Sequence, residues 1–537
     1  MRQLKNTKGM TRRGLLGSSS AVAAVTAMCS TGVVPQAASA APLELGAKLY
    51  ESIGVTPAVN CRGTFTIISG SQSLPEVKKA MEMASHYYVH MDELMDAVGK
   101  RLAELTKAEW GMVSNGCAAA LAHATAACVT GGDPEKMQRM PDLTGMKNEV
   151  IVPKYARNVY DHAVRMTGVK MIEVETAAQF EAAVNERTAM VMIMSGPAAE
   201  KGELSIANTA KLARKHNVPL LVDAAAEEIK IPNVHLEAGA HLVAYSGGKC
   251  LRGPQAGGLL LGQKDLVQTA WVCSAPHHTF GRSMKVGKEE VMGMLAAMEM
   301  WVKRDHAAEW KEWESRLETI SSAAMKVPGV TKKIRQPEDL SNHAPVLELS
   351  WDATKLGITG TEVEELLGKG SPRILVAGSS GTRRELAMGA SSGSPVRPST
   401  LRIMPYMMQP GDDKIAAPGI FKLLSNPPKI ATPTIAPPDA TVSGTWNVEL
   451  KFLSGKAKHT LTLEQNGAKV TGNHKGETIA GNVSGSVEGK QVMIRSSQKI
   501  EGTSLGFNFT GTVAGNSMKG TVALGEYGKA EFTATKA

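Results

Sequence analysis

The chain has 537 residues, more than one hydrophobic core can organise, and this length predicts two to three domains. It is 43% hydrophobic and 21% charged, which is typical of a soluble globular protein. After residue 40 no stretch reaches the roughly 18 consecutive apolar residues that cross a bilayer, so no integral membrane contact is expected. The formal net charge of +9 falls to about +4 without the five basic residues of the first forty, which argues against a nucleic-acid partner.

The first forty residues have the three parts of a twin-arginine export signal. Arg12 and Arg13 form the arginine pair, a weakly apolar run rich in Ala, Ser, Val and Gly follows, and Ala38-Ser39-Ala40 is a small-x-small cleavage site. We expect residues 1–40 to be a signal peptide and the protein to be exported in the folded state, to the periplasm or an equivalent compartment. The alternative is a cytosolic N-terminus that happens to carry two arginines.

Short apolar runs alternate with helical patterns from about Leu43 to Ser425, and residues 41–300 are predicted to form a large α/β domain. Such a chain builds a mainly parallel sheet that helices cover on both faces, and ligands bind at the carboxyl ends of its strands. The predicted helices include Ala177–Val184 and Thr209–His216. The predicted strands are Val150–Val152, Met171–Val174, Ala189–Met194, Val218–Val222 and His241–Tyr245.

Residues 301–425 are predicted to form a smaller α+β domain, because the pattern changes near residue 300. One long helix is predicted around Trp301–Met325, followed by the strand Val346–Trp351. A capping box at Thr361–Glu364 predicts the start of another helix. The segment Gly378–Pro398 is rich in Gly, Ser and Arg and is predicted to be a mobile loop.

The last part of the chain is predicted to be a proline-rich linker, residues 426–441, and a separate antiparallel β-barrel or sandwich, residues 442–537. Runs such as Trp446–Phe452 and Leu505–Phe509 alternate apolar and polar residues, as strands do. We expect this β-domain to fold independently and to be dispensable for chemistry. Its expected role is oligomerisation or stabilisation, and the alternative role is binding to a glycan or to the cell wall. Glycines predicted at turns or bulges near strand starts are Gly444, Gly472, Gly481, Gly511 and Gly520.

Three motifs in the large domain point to pyridoxal phosphate. Ser114-Asn115-Gly116-Cys117 is a small-residue turn that opens a helix, and a helix N-terminus binds phosphate. Asp223 ends a predicted strand, where a carboxylate can pair with the pyridine nitrogen, and the alternative role is to cap a helix at Ala224–Glu228. Lys249, in Ser246-Gly247-Gly248-Lys249, can form a Schiff base with the cofactor and later act as general base and acid.

The remaining cysteines and histidines predict neither disulfides nor a metal site. Without Cys29 of the signal peptide, five scattered cysteines remain, which is not a disulfide framework. No cluster of His and Cys has metal-ligand spacing, and the pair His277-His278 is interpreted as a loop or substrate-facing feature. Cys250 is interpreted as a packing thiol.

Several motifs in order resemble the selenocysteine synthase-like group of fold-type I pyridoxal phosphate enzymes, most of all its D-glucosaminate-6-phosphate ammonia-lyase branch. The resemblance covers roughly residues 45–425. It implies that Lys249 is the Schiff-base residue. It also implies that a basic segment with Arg282 and Lys285 lies by the cofactor phosphate, often across a dimer interface. The motifs are Asn60–Thr64, Met91–Leu94, Arg157–His162, Ser246–Gly258 and Gly281–Glu290.

Two departures from this family pattern concern the cofactor site. Cys117 and Cys250 stand where such enzymes more usually have alanine or glycine. The residue that stacks on the cofactor ring is not evident, and Arg157, Tyr160 and His162 are its candidates.

The resemblance and the motifs together predict an exported lyase that removes the α-proton, expels a β-substituent and releases ammonia. Its expected substrate is a β-hydroxylated or phosphorylated amino acid or amino sugar acid, and its expected assembly is a homodimer or larger homo-oligomer. Arg62 and Arg402 are the candidates for binding the substrate carboxylate, with surface or interface ion pairs as the alternative. Other hypotheses are an aminotransferase, a selenium transferase-like enzyme, or a binding protein that keeps the fold without turnover.

Replacing Arg12 and Arg13 by lysine is expected to trap the folded, cofactor-loaded protein in the cytoplasm, because the export route is read from the arginine pair. Fractionation followed by immunoblotting measures where the protein accumulates. The matched control exchanges Lys5 and Lys8 for arginine, which keeps the charge and leaves the pair intact, and it should be exported normally. Periplasmic accumulation of the double lysine variant would mean that another route carries the protein.

Overall fold

The structure is a computed structural model that describes residues 43–379, 383, 398–431 and 436–537. The predicted signal peptide lies outside the described residues, as does most of the predicted loop Gly378–Pro398. The chain divides into two units. In the first, which ends at Pro57, the described residues carry a short 3₁₀ helix, Glu51–Ile53. The second begins at Ala58, and its described residues contain three large hydrophobic cores.

The first two cores are built from thirteen strands and fourteen helices among the described residues. No described helix has both the length and the apolar composition needed to cross a membrane. The strands are β1 (Ala58–Asn60), β2 (Trp110–Asn115), β3 (Glu149–Pro153), β4 (Lys170–Val174), β5 (Thr188–Met194), β6 (Leu220–Asp223), β7 (Leu242–Ser246), β8 (Gly257–Gly262), β9 (Thr331–Arg335), β10 (Val346–Trp351), β11 (Arg373–Leu375), β12 (Ala377–Ser379) and β13 (Ser399–Ile403). The helices are α1 (Pro75–Ser85), α2 (Met91–Thr106), α3 (Gly116–Thr130), α4 (Pro134–Arg139), α5 (His162–Arg165), α6 (Ala177–Ala183), α7 (Ile206–Lys215), α8 (Val234–Glu237), α9 (Lys264–Val272), α10 (Lys288–Lys303), α11 (His306–Ala324), α12 (Ala353–Leu356), α13 (Gly360–Lys369) and α14 (Asp412–Ser425).

A seven-stranded sheet forms the centre of the first core, in the order β2-β8-β7-β6-β5-β3-β4. β8 runs antiparallel to both neighbours, and the other neighbouring strands are parallel. Every residue of β6 and of β8 is buried, which explains why these strands are apolar rather than alternating. The predicted mainly parallel α/β sheet is confirmed, and the five predicted strands are β3 to β7.

The helix α3 lies against this sheet with almost no polar surface. All residues from Ala119 to Ala127 are buried. Small alanine side chains let the helix approach the strands closely, so its composition reflects packing on several sides. Its first residue, Gly116, directly follows β2.

A four-stranded antiparallel sheet, in the order β12-β13-β10-β9, forms the centre of the second core. Leu317 of α11, Val363 of α13 and Ile420 of α14 are fully buried in this core. β1 and β11 form a separate parallel pair. The predicted strand Val346–Trp351 is β10, and the predicted smaller α+β architecture is confirmed.

Two local predictions in this region are wrong. The single helix predicted over Trp301–Met325 is two helices, α10 and α11, because the Asp305 side chain caps the start of the second one. The capping box predicted at Thr361–Glu364 lies two residues earlier. The Thr359 hydroxyl accepts from the Glu362 amide at 3.2 Å, and the Glu362 carboxylate accepts from the Thr359 amide at 2.9 Å.

The third core lies inside a closed antiparallel barrel of eight strands. Each strand pairs with the next along the chain, and β14 also pairs with β21. Buried and exposed residues alternate along β14, as the period-two pattern predicts. The strands are β14 (Gly444–Lys451), β15 (Lys456–Asn466), β16 (Lys469–Lys475), β17 (Ala480–Glu488), β18 (Gln491–Ile500), β19 (Thr503–Ala514), β20 (Ser517–Ala523) and β21 (Lys529–Lys536).

The predicted barrel glycines lie mostly inside strands and not at turns. Gly444 is the first residue of β14, but Gly472, Gly481, Gly511 and Gly520 lie within β16, β17, β19 and β20. A Cβ atom on Gly472 would lie 1.9 Å from a backbone carbonyl oxygen of β15, and one on Gly520 would lie 2.1 Å from one of β19. The missing side chains therefore let neighbouring strands approach where the sheet bends to close.

A polar cluster is buried at one place in the barrel. His474 is fully buried, with Nε2 2.8 Å from Nδ1 of His459 and Nδ1 3.0 Å from the hydroxyl of Ser496. Burial, together with a smaller effect of the neighbouring His459, lowers the pKa of His474 to about 4. His474 is therefore neutral in the folded barrel at neutral pH.

The barrel is expected to lose stability as the pH falls from about 6.5 to about 4. In this range the unfolded chain binds a proton at His474 that the folded barrel excludes, so lowering the pH favours unfolding, by at most about 3 kcal/mol. Calorimetry of the full protein between pH 4 and 7 measures the barrel transition. In the control variant His474→Gln this pH dependence should flatten; an unchanged dependence would assign it to other groups.

Candidate active site

The candidate site lies where the carboxyl ends of β6 and β7 meet the start of α3. Asp223 is the last residue of β6 and is 3% exposed, and Lys249 follows the end of β7. The Asp223 carboxylate accepts from the Ala225 amide at 3.1 Å and lies 3.7 Å from the Cys117 thiol. Burial raises the pKa of Asp223, whereas the Ala225 amide and the positive charge of Lys249 act in the opposite direction. The structure therefore brings these predicted residues together.

The start of α3 is built as a shallow cradle. Ser114 and Asn115 end β2, Gly116 begins the helix with φ +79°, and the helix start has no side-chain cap. Gly258 of β8 lies so close that a Cβ atom there would be 2.4 Å from the Gly116 carbonyl carbon and 2.6 Å from the Cys117 nitrogen. The uncapped N–H groups and the positive end of the helix dipole suit a phosphate group.

Glycines and backbone hydrogen bonds hold the segment that carries Lys249. A Cβ atom on Gly247 would lie 2.2 Å from the Met294 sulfur, and one on Gly248 would lie 2.3 Å from the Gln255 side chain. The Gly247 amide donates to the Gly257 carbonyl at 2.8 Å. Lys249 is thus presented by a tightly packed turn, which fixes its position relative to β7 and β8.

The two cysteines of the site are packing thiols in their local environment. The Cys250 thiol donates to the Glu227 carbonyl at 3.0 Å, and burial raises its pKa to about 12. Burial also raises the pKa of Cys117 well above its ordinary value. Both are therefore protonated at neutral pH and unsuited to nucleophilic chemistry.

The structure adds a buried hydrogen-bonded chain that the sequence prediction missed. Ser195, directly after β5, donates its amide to the Asp223 carbonyl at 2.9 Å, and its hydroxyl is hydrogen-bonded to the Glu227 carboxylate. The other oxygen of Glu227 lies 2.5 Å from Nε2 of His235. Residues 224–228 were predicted as a helix, but Ala225 and Ala226 form a turn and Glu227 makes an isolated β-bridge with Ser341, which leaves the Glu227 side chain buried. In the sequence, Ser195 directly follows the predicted strand Ala189–Met194, and this position could have identified it as a candidate site residue.

The predicted ring-stacking candidates lie in the segment after β3. All three guanidinium nitrogens of Arg157 are committed to carboxylates, at 2.5 Å from Asp161, 2.5 Å from Glu173 and 2.6 Å from Glu501 of the barrel. Tyr160 is 58% exposed. Nδ1 of His162 lies 3.3 Å from the Arg165 guanidinium. Arg157 therefore connects the barrel to this edge of the sheet.

The basic residues predicted to bind the substrate carboxylate and those predicted to lie by the cofactor phosphate have different environments. Arg62 is ion-paired with Glu364 at 2.8 Å, and Arg402 is ion-paired with Glu348 at 3.2 Å. Arg282 and Lys285 are exposed, in the segment that precedes α10. For both Arg62 and Arg402 the structure shows the ion-pair alternative.

Among residues 43–379, 383, 398–431 and 436–537, the cysteines and histidines form neither a disulfide nor a metal site. Cys61, Cys117, Cys128, Cys250 and Cys273 all have free thiols. Within the described parts of the chain, no group of three His, Cys, Asp or Glu side chains is arranged to hold a metal ion.

Known proteins resemble this chain in both sequence and fold. A family model described as L-seryl-tRNA selenium transferase matches residues 74–336. The chain is 31% identical over 332 residues to D-glucosaminate-6-phosphate ammonia lyase of Salmonella typhimurium, which covers 60% of this chain and 87% of the relative. It is also 31% identical over 337 residues to 5'-C-glycyluridine monooxygenase-decarboxylase of a Streptomyces species, covering 60% and 83% of the two chains.

A solved structure of D-glucosaminate-6-phosphate ammonia-lyase has the same architecture. It superposes with a TM-score of 0.59 at 27% sequence identity, covering 70% of this chain and 97% of that chain. The predicted fold-type I architecture is therefore confirmed, and the predicted barrel or sandwich at the end of the chain is a barrel.

Substituting Gly258→Ala is expected to weaken cofactor retention at least about tenfold, because the new Cβ atom would push the first residues of α3 away from β8. Equilibrium dialysis followed by absorbance measures how much cofactor stays bound. The matched control is Gly368→Ala, where no atom lies within 4 Å of the new Cβ, and it should retain the cofactor. Normal retention by the Gly258 variant would show that the cradle is placed elsewhere.

Proposed function

We propose that this chain, which belongs to the selenocysteine synthase-like family of pyridoxal phosphate enzymes, is a lyase that releases ammonia from an amino acid or amino sugar acid. The substrate proposed is β-hydroxylated or phosphorylated. The observation that carries the proposal is the grouping of the α3 cradle, buried Asp223 and Lys249 at one sheet edge. The likeness to an ammonia lyase over 87% of that relative supports it.

The residues present fit pyridoxal phosphate, the cofactor of this family. The N–H groups at Gly116 and Cys117 would hold the phosphate, with the Ser114 hydroxyl beside them. When bound, this cofactor supplies an electron sink for the charge that develops at the substrate α-carbon. Asp223 would hold the pyridine nitrogen in its protonated form, because a buried carboxylate is stabilised by a cation beside it.

The protein groups can then move the protons of an elimination. Nζ of Lys249 would remove the proton from the α-carbon, and the β-substituent would leave with its bonding electrons. Ser195 would add a polar hydroxyl beside Asp223, oriented by Glu227. The Tyr406 hydroxyl donates to the Asn342 side-chain oxygen at 2.8 Å and lies 3.0 Å from the Thr64 hydroxyl, so it connects three segments that are distant in the sequence.

The proposal also includes a homodimeric assembly and export of the folded protein. A homodimer is proposed because the segment with Arg282 and Lys285 resembles one that often lies across a dimer interface in this family, and both side chains are exposed here. The twin arginines in the first forty residues support export in folded form.

The wild-type protein is expected to release ammonia and a 2-oxo product from at least one amino acid or amino sugar acid in a screen. Lys249→Ala should abolish release and also the borohydride-sensitive visible absorbance of lysine-linked cofactor, with unchanged circular dichroism. Asp223→Ala should keep the linked cofactor and lose at least about a hundredfold in turnover, because the electron sink is weakened.

The outcomes separate the hypotheses. Formation of a 2-oxo product only with an added amino acceptor, and no free ammonia, would indicate an aminotransferase. Absorbance changes with amino acids but no product would indicate a binding protein. Wild-type absorbance in the Lys249 variant would remove this residue from the site.

A further inference from the structure

A small cleft of about 70 Å³ borders the segment that carries Lys249. Cys250, the residue after Lys249, is part of its wall, and so is Tyr406, which packs with Ala344 and Met407 in a separate small cluster. Three arginines line this cleft: Arg252, Arg304 and Arg316.

Two of these arginines use most of their donors to hold the backbone. Arg304 donates to the Cys250 carbonyl at 3.0 Å and to the Leu251 carbonyl at 2.6 Å. Arg316 donates to the Met408 carbonyl and pairs with a carboxylate one helical turn away. Both side chains therefore hold the backbone, and Nε of Arg304 is buried without a hydrogen-bond partner among the described residues.

Arg252 is different, because its guanidinium group has only weak partners. Its Nε lies 3.3 Å from the Gln72 carbonyl and one terminal nitrogen lies 3.5 Å from the Gln409 side-chain oxygen. Among the described residues, no carboxylate lies within ion-pairing distance of it. Burial lowers the pKa of Arg252, which means that its charge is partly desolvated and incompletely compensated.

The acidic side chains of the cleft do not neutralise Arg252 at short range. Glu309, Glu312 and Glu76 raise the pKa of Arg252 from beyond ion-pairing distance. Glu228 is paired with Lys230 and Glu312 with Arg316, and Glu309 lies 3.6 Å from the His306 ring.

The backbone at Arg252 is also in a conformation that favours glycine, with φ +53°. It is held there because the Arg252 amide donates to the Lys249 carbonyl at 2.9 Å and its carbonyl accepts from the Leu74 amide at 3.0 Å. A strained residue of this kind persists where its side chain is needed. The segment after Lys249 therefore carries an arginine at a position that glycine would suit better.

We propose that Arg252 binds an anionic oxygen group of the substrate, so that the substrate is an acid whose carboxylate or phosphate reaches this cleft. The proposal rests on the proposed function and specifies its substrate class. A planar guanidinium group can donate two parallel hydrogen bonds to either anion. Arg252 takes the place of Arg62 and Arg402, whose guanidinium groups are already ion-paired.

The activity test uses Arg252→Gly and Arg252→Lys in the cofactor-loaded enzyme. Arg252→Gly suits the backbone and removes the charge, so the fold and the cofactor absorbance should be kept while KM for the acid rises at least about tenfold. Arg252→Lys should recover part of this loss. Arg187→Gln removes an arginine paired with Glu149 and is the control, with KM expected to stay at the wild-type value.

The source of the anionic group is found by comparing amino sugar acids with and without a terminal phosphate. If Arg252 binds the phosphate, Arg252→Gly raises KM only for the phosphorylated substrate. If it binds the carboxylate, KM rises for both substrates by a similar factor. A normal KM for both substrates in the Arg252→Gly variant would overturn the proposal.

An ion-binding measurement tests Arg252 independently of any turnover. Inorganic phosphate and acetate are titrated calorimetrically into cofactor-loaded wild-type protein, in which the α3 cradle is already filled. At least one of the two anions is expected to bind, and Arg252→Gly should weaken that binding at least about tenfold. Equal binding by both proteins, or no binding by the wild type, contradicts the proposal. If the wild type binds the anion and no amino substrate releases ammonia, the proposed lyase function fails and the anion site stands.

Discussion

The parallel alignment of β5, β6 and β7 is the constraint on which the candidate site depends. Because these strands run in the same direction, their carboxyl ends reach the same edge, and the Ser195 amide bonds to the Asp223 carbonyl there. Asp223 is buried by the sheet packing, which raises its pKa, and the Ala225 amide and Lys249 offset part of this effect. A shift of β6 by one residue would turn the carboxylate to the other face. The position of the strand thus decides whether this aspartate can serve a cofactor.

The reversed strand β8 supplies the second constraint. Gly258 lets the start of α3 approach the sheet, and the Gly257 carbonyl accepts from Gly247 in the Lys249 segment. One strand therefore fixes the positions of both the α3 cradle and the segment that carries Lys249. Arg304 adds two hydrogen bonds to the carbonyls that follow Lys249, so the small residues of this segment form a tightly held turn. Small residues here serve close packing, and the hydrogen bonds remove the flexibility that glycine would otherwise allow.

The barrel is connected to the same edge of the sheet. Glu501, at the turn between β18 and β19, pairs with Arg157, which follows β3. A Cβ atom on the neighbouring Gly502 would lie 2.1 Å from the Asn158 carbonyl oxygen, so the two backbones are in direct contact. Through this contact the barrel can stabilise the segment after β3. That the barrel is dispensable for chemistry stays a prediction, because the cofactor-binding candidates precede residue 425 and a proline-rich linker separates the barrel from them.

The sequence by itself determined the parts of this protein that depend on local pattern. Apolar runs predicted β3 to β7, and period-two alternation predicted the barrel. The order of the small-residue turn before α3, Asp223 and Lys249 predicted pyridoxal phosphate as the cofactor. Only the tertiary structure decided which distant side chains are partners. It paired Glu227 with Ser195 and His235, and it committed Arg62 and Arg402 to carboxylates while leaving Arg252 weakly bonded. Local periodicity fixes which face of an element is buried, but the compensation of a charge depends on residues far apart in the chain, which meet only after the sheets have packed.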